Sequence, residues 1–244
     1  MRRRFIAMLT ALTLFSCAKE SKNMVVNGKI EGLKKGTLYF QRVKDTTLIT
    51  IDSLQINGNP EFTFSTDIEG PEIFYLYLDK NDGNQLNDRL DFFGEEGTIT
   101  IKTSRDYFAP EAIVEGSATN NKLYEYRKMR SKFSNKNLEL IKSKFEAEKN
   151  GDAEIADSLI TELNRNQQRS FLYTVNYIFN NSDSYVTPYL VLTEAPNLTV
   201  KYLDSINNML SEPVAKSKYG TALKKYIEKI KEGENSKDTA ENAE

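Results

Sequence analysis

The chain of 244 residues has no histidine, no tryptophan and a single cysteine, Cys17. Without histidine it lacks the commonest general base at neutral pH, and the imidazole ligands on which zinc, copper and non-haem iron sites usually draw. One cysteine forms no intramolecular disulfide and has no second thiol for redox exchange. After residue 16 there is no apolar run near the roughly 20 residues needed to span a bilayer. Charge of one sign is not in large excess either. Setting aside residues 1–16, which hold Arg2, Arg3 and Arg4, leaves 30 basic against 35 acidic residues, a formal charge of −5. A surface of that sign has no long-range attraction for nucleic acid or anionic lipid. Carboxylates, lysine and tyrosine remain for catalysis. On balance these absences point to a protein that is not an enzyme and carries neither cofactor nor metal.

What is present begins at the N-terminus. Arg2, Arg3 and Arg4 form a basic n-region, and Phe5 to Phe15 an apolar stretch of 11 residues. That length suits a cleaved signal peptide rather than a membrane span. Leu14-Phe15-Ser16-Cys17 resembles a lipobox, which predicts cleavage after residue 16 and lipidation of Cys17. Residues 17–23 then form the lipidated cysteine and a polar tether. Ala18 follows the cysteine where an aspartate would retain an enteric lipoprotein in the inner membrane, so the outer membrane is the expected destination. The periplasmic face and the cell surface both stay open.

From Met24 the apolar period is two. Val25, Leu38, Tyr39, Phe40 and Val43 sit in short runs broken by Asn27-Gly28, Gly32 and Lys35-Gly36. Leu48–Ile56, Phe62–Ser65, Ile73–Leu78, Leu90–Phe93, Thr98–Lys102 and Ile113–Glu115 follow, each rich in β-branched or aromatic residues and bounded by Gly, Pro, Asn or Asp. They predict an antiparallel β-sandwich or open barrel over residues 24–116. At Gly116-Ser117 the period becomes helical, and residues 117–231 read as a helical region. Leu123, Tyr126, Phe133, Ile141 and Phe145 define a first stripe, stopped at Asn150-Gly151. Asp152 is placed to cap a second helix carrying Ile155, Leu159, Leu163, Phe171, Val175 and Phe179. The wholly polar run Asn164–Arg169 implies exposure or a break at mid-length, and the two helices should form an antiparallel hairpin. Shorter helices are expected around Pro188–Ala195, Val200–Leu210 and Tyr219–Lys231. Residues 232–244 hold nothing able to build a core and are expected to be a disordered acidic tail. The fold class is thus α+β.

Several phrases in fixed order carry a family resemblance: Val26-Asn27-Gly28-Lys29-Ile30, Gly36-Thr37-Leu38-Tyr39-Phe40, Ile51-Asp52-Ser53, Phe62-Thr63-Phe64, Leu90-Asp91-Phe92-Phe93, Gly97-Thr98-Ile99-Thr100-Ile101 and Val114-Glu115-Gly116-Ser117-Ala118-Thr119-Asn120. Behind a lipobox, this series resembles the domain of unknown function that precedes the thioredoxin-like domain in thiol:disulfide interchange lipoproteins of Bacteroidetes. The resemblance implies an envelope setting and a thioredoxin-like partner. The redox activity of the longer relatives does not carry over, because this sequence has no Cys-x-x-C pair.

Candidate sites are few. Asp79, Asn81, Asp82, Asn84, Asn87 and Asp88 suggest a calcium loop, but Gly83 and Asn84 come in the wrong order and Leu90 stands where the closing acid is needed, so a polar turn reads better. Glu95 and Glu96, flanked by Gly94 and Gly97, read as a hairpin tip rather than a catalytic pair. Tyrosines 124, 126, 173, 177, 185, 189, 202, 219 and 226 follow the helical spacing and read mainly as packing, with an aromatic groove for peptide or glycan the lesser reading. Asp-Ser/Thr phrases at Asp45, Asp52, Asp157, Asp204 and Asp238 look like O-glycosylation acceptors of Bacteroidetes, Thr239 being the best placed. The expected function is that of a non-catalytic envelope interaction or scaffold module. The alternative is a binding protein for a small ligand or glycan, held in a cleft between the two halves. A carboxylate-dependent hydrolase comes third.

The lipobox generates a direct test. Cys17→Ala should leave an uncleaved or soluble protein, read by detergent-phase partitioning; normal partitioning of that variant would refute lipid anchoring at Cys17.

Overall fold

Strict alternation builds the first half. In β4 (Glu61–Thr66) the side chains of Phe62, Phe64 and Thr66 are buried, while Glu61, Thr63 and Ser65 are exposed. A strand that hides every second residue needs an apolar layer on one side only. The computed structural model describes residues 22–83 and 88–241, and places eight strands in two four-stranded sheets. β4, β1 (Met24–Glu31), β7 (Gly97–Ser104) and β8 (Ile113–Glu115) form the first, in that order. β3 (Thr47–Asn57), β2 (Lys35–Lys44), β5 (Glu72–Asp79) and β6 (Arg89–Gly94) form the second. The α+β class and the sandwich are as the sequence predicts. One pairing differs from the antiparallel expectation: β1 and β7 run parallel, in register from Met24↔Gly97 to Glu31↔Ser104. A period of two reports which face is buried and is silent on direction.

The sandwich core is aromatic at its centre. Phe40 of β2 stacks on Phe64 of the opposite sheet at 5.4 Å and on Phe74 at 5.2 Å. Val26, Ile99 and Ile101 of the first sheet close the layer with Leu76, Leu78 and Phe92 of the second, all fully buried. Gly28 marks the closest backbone approach, since a Cβ there would lie 1.9 Å from the Ile101 carbonyl oxygen.

The helices are α1 (Ala118–Asn150), α2 (Ala153–Asn180), α3 (Val186–Glu194), α4 (Val200–Met209), α5 (Glu212–Ala215) and α6 (Lys218–Glu241). α1 and α2 make the expected hairpin. Gly151 ends α1 in the left-handed region (φ 79°, ψ 14°), where its N–H reaches the carbonyls of Ala147 and Glu148. Asp152 occupies the N-cap position of α2 but makes no capping side-chain bond.

The seam between the two helices corrects the predicted stripe. On α1 the residues turned inward are Tyr126, Arg130, Phe133, Asn137, Leu140, Lys144 and Ala147, at alternating steps of four and three. On α2 they include Ala156, Leu159, Leu163, Asn166 and Ser170. Ile141 (39 % exposed), Phe145 (64 %), Ile155 (54 %) and Phe171 (49 %) are left outside it. The polar run 164–169 neither breaks the helix nor lies wholly exposed. Asn166 is buried, and its Nδ2 donates to the Phe133 carbonyl at 2.9 Å and to Asn137 Oδ1 at 2.8 Å. A polar side chain on the seam is tolerated because α1 satisfies it.

At the C-terminus the helix continues through the segment expected to be disordered, as far as Glu241. Glutamate, lysine and alanine are good helix formers, whereas Gly233, Asn235, Ser236, Asp238 and Thr239 are weaker positions in the extension. Lys231, Glu232 and Gly233 are exposed. Deleting residues 232–244 should therefore leave the melting temperature unchanged, because the extension has no large apolar side chain to bury. A loss of several degrees in calorimetry would show that it docks on the body.

Candidate functional site

The β5–β6 end of the second sheet is apolar on both faces. Leu76 and Phe92 point into the sandwich, while Ile73 and Phe93 point the other way and are also buried, beneath the helices. Tyr189 of α3 and Tyr219 of α6 meet the Phe93 ring edge-on at 5.4 and 5.9 Å. The Tyr219 hydroxyl accepts from the Ile73 N–H at 3.1 Å.

Polar ties surround this contact. Glu95 reaches the start of α1 and accepts from the N–H of Ala118 and, at 2.8 Å, from the Thr119 hydroxyl. A carboxylate at a helix N-terminus satisfies free N–H groups and opposes the helix dipole favourably. Ser117 caps the same turn by accepting from Asn120 N–H at 2.9 Å, and Asn120 Oδ1 accepts from Phe93 N–H at 3.1 Å. Arg127 of α1 forms a two-point pair with Asp91 of β6. Lys218 of α6 pairs with Glu72, which Arg42 approaches at 3.5 Å, and donates to the Val43 carbonyl at 2.8 Å.

Two concavities flank the junction. One, of about 650 Å³, lies between β6, β8 and α1, with Leu90, Ile113 and Val114 on the sheet side and Tyr124, Arg127 and Lys128 on the helix side. The other, of about 720 Å³, lies around Glu72, Lys218, Glu69 and Thr221.

The residues singled out in the sequence are scattered over this frame. Asp79 accepts from Asn81 N–H at 2.9 Å, Asp82 pairs with Arg105 at 3.1 Å, and buried Asp88 lies 2.7 Å from the Lys80 ammonium. Asn84 and Asn87 lie outside the described residues, as does Cys17. Among the described residues no three acidic, cysteine or histidine side chains are grouped as for a metal ion. Glu95 and Glu96 do not act together: Glu95 caps α1, and Glu96 accepts from Asn23 Nδ2 at 3.1 Å. Asp52 Oδ1 accepts from Ser53 N–H at 2.7 Å, the Asp157 carbonyl accepts from Thr161, Asp204 pairs with Lys231, and Asp45 adopts a positive φ of 55° at its turn. Asp238 and Thr239 fall on the last turns of α6.

Most of the tyrosines are packing residues. Tyr126, Tyr173 and Tyr177 form a cluster with centroids 5.3 to 6.0 Å apart, and Tyr126 shares a 2.9 Å hydrogen bond with Thr174. Burial pushes the Tyr126 phenol up to about 12 and raises those of Tyr177 and Tyr219 further. Tyr124 and Tyr202 are exposed, and Tyr124 lines the cleft beside α1. Glu95, Asp91, Arg127 and Lys218 had no signature in the sequence, because each meets a partner more than twenty residues away. The adjacent buried phenylalanines, Phe92 and Phe93, were the available clue that β6 is covered on both faces.

Residues 24–123 match the family described as Domain of unknown function (DUF4369). The match takes in all eight strands and the opening of α1 as far as Leu123. No curated protein matches the chain. The resemblance to a domain of unknown function holds over this part, which contains Phe93, Glu95 and Asn120.

Glu95→Ala should destabilise the fold by about 1–2 kcal/mol, the usual effect of losing a cap together with its dipole interaction. Chemical denaturation checks the value, and Glu95→Gln should recover part of it.

Proposed function

We propose that this protein is a non-catalytic, lipid-anchored component of the cell envelope that works by holding another protein. The observation that carries this reading is the α1–α2 hairpin. Leu138 and Phe145 are more than 60 % exposed, and Ile141 and Ile160 about 40 %, on helices whose own seam carries Asn137, Lys144 and Asn166. Large apolar side chains left outside a polar-containing seam are characteristic of a surface that is covered in an assembly. The ties to the sheet support the same reading, because they hold the hairpin base at a fixed angle to the sandwich. No helix among the described residues is long and apolar enough to cross a membrane; attachment is assigned to Cys17, and the outer membrane to the residues that follow it. A separately encoded thioredoxin-like protein is the partner that the family resemblance suggests.

The cleft beside the Asp91–Arg127 pair favours a second reading, a small ligand or glycan bound against the exposed Tyr124 ring. Tyr124→Ala would abolish such binding and leave protein contacts at the hairpin intact.

A photo-crosslinking residue placed at 138 or 145 in cells should give a discrete adduct with an envelope protein, and one at Lys229, exposed on α6, should not. Absence of any adduct from 138, 141 and 145 would overturn the interaction reading.

A further inference from the structure

Five exposed apolar residues of the hairpin fall on one side of it, while Ile155 and Leu172 lie elsewhere. Leu138, Ile141 and Phe145 each follow an inward residue of α1 by one position, and Ile160 and Phe171 each follow an inward residue of α2 by one. One residue turns a helix by about 100°, and in an antiparallel pair the two rows displaced in this sense lie on the same side. They therefore border a common groove along the hairpin, whose far end is also flanked by Glu148, paired with Lys144, and by Asp157.

The base of that groove is already occupied. Ile178 also follows an inward residue, Tyr177, by one position; it is fully buried and shares a cluster with Leu190 and Val191 of α3. α3 packs on both α1 and α2 there. It ends at Glu194, whose carboxylate reaches Arg130 of α1 at 3.4 Å. Past Glu194 the side chains on the groove become exposed. The chain itself thus demonstrates what fits: a helix, with an acidic residue turned to α1.

Charge defines the occupant further. α1 holds nine basic and four acidic residues, although the whole chain has a net charge of −2. Lys128, Lys142 and Lys149 lie at multiples of seven residues, in the row next to the apolar one, and all three are exposed; Lys128 borders the cleft at the base, and Lys142 and Lys149 flank the distal groove. None forms an ion pair among the described residues. A second copy would set one basic helix against another if α1 packed on α1. An anionic membrane would face the acidic remainder of the chain.

We infer that the distal groove of the α1–α2 hairpin binds an acidic amphipathic helix of a partner protein, laid end to end with α3. Its apolar face covers Leu138, Ile141, Phe145 and Ile160, and its carboxylates meet the lysine row. This rests on the interaction reading above and names the chemistry of its partner.

The test uses the chain from Ala18 onward, which contains every described residue, and two stapled helical peptides. Both carry leucine at i, i+3, i+4 and i+7; one is flanked by glutamate and the other by lysine. The glutamate peptide should bind, and binding should weaken about tenfold or more in Lys142→Glu/Lys149→Glu and again in Phe145→Ser, with a strong dependence on salt. Each variant is first shown to melt with the wild type, as expected for exposed positions. Equal binding of the two peptides, or binding of neither, overturns the inference. So does a concentration-dependent dimer that Phe145→Ser abolishes, which would assign the groove to a second copy. So does flotation with phosphatidylethanolamine–phosphatidylglycerol vesicles that the same variant abolishes. If any of these results accompanies a cellular adduct from position 145 to an envelope protein, the interaction reading stands and only the acidic helix is refuted.

Discussion

Everything beyond the sandwich depends on the packing of Phe93 beneath Tyr189 and Tyr219. Phe92 and Phe93 are neighbours on β6, so their side chains leave opposite faces of the sheet, and both are fully buried. The second sheet must therefore be covered twice at this end, by the first sheet and by the helices. Burying one such ring contributes about 1.5–3 kcal/mol, and edge-on aromatic contacts add about 0.5–1.5 kcal/mol more. The half-exposed Asp91–Arg127 pair contributes less, about 0–1 kcal/mol. Glu72 is different, with a side chain only 10 % exposed between Lys218 and Arg42. Two cations share it, and with Lys218 41 % and Arg42 32 % exposed each contact is screened by solvent and contributes modestly. Apolar contact thus holds the helices down, and the ionic and capping contacts decide their orientation.

That division explains how a weak hairpin stays formed. A seam that includes Arg130, Asn137, Lys144, Asn166 and Ser170 buries little apolar surface over its length. It gains register in exchange. Asn166 finds both its acceptors, Phe133 O and Asn137 Oδ1, in one alignment of the helices, and a slip by one turn would leave it buried without them. Stability comes from the base, where Tyr126, Ile178 and Leu190 join the helical core. The far end has its register set and its apolar side chains unspent, which is the arrangement expected of a surface awaiting another helix.

How much of this was legible follows from which interactions are local. Alternation in phrases such as Glu61–Thr66 reveals strands and their buried face, and Asn150-Gly151 reveals the hairpin turn, because both signals are written in neighbouring residues. The parallel pairing of β1 with β7 joins segments seventy residues apart and leaves no mark on either. The helical stripe was misplaced for a physical reason. Apolar periodicity alone turns Phe145 inward, but on α1 the inward row includes Arg130 and Asn137, and Phe145 sits one position outside it. Glu95 reads as a turn residue in the sequence because its partners, Ala118 and Thr119, begin the next layer. Cys17, which carries the expectation of an envelope address, lies outside the described residues.

The extent of the family match bears on where function resides. Residues 24–123 include Phe93, Glu95, Asp91 and Asn120, and stop one turn into the hairpin. The matched domain thus comprises a sandwich together with the collar that receives a helix, a scaffold whose fold names no activity. Leu138, Ile141, Phe145, Ile160 and the lysine row all lie beyond it. A two-helix arm fixed to such a collar takes its direction from it: moving the collar by one residue of register would swing every side chain on the arm. The properties that distinguish this chain should therefore be sought on the arm, and the sandwich is what makes the arm's direction reproducible.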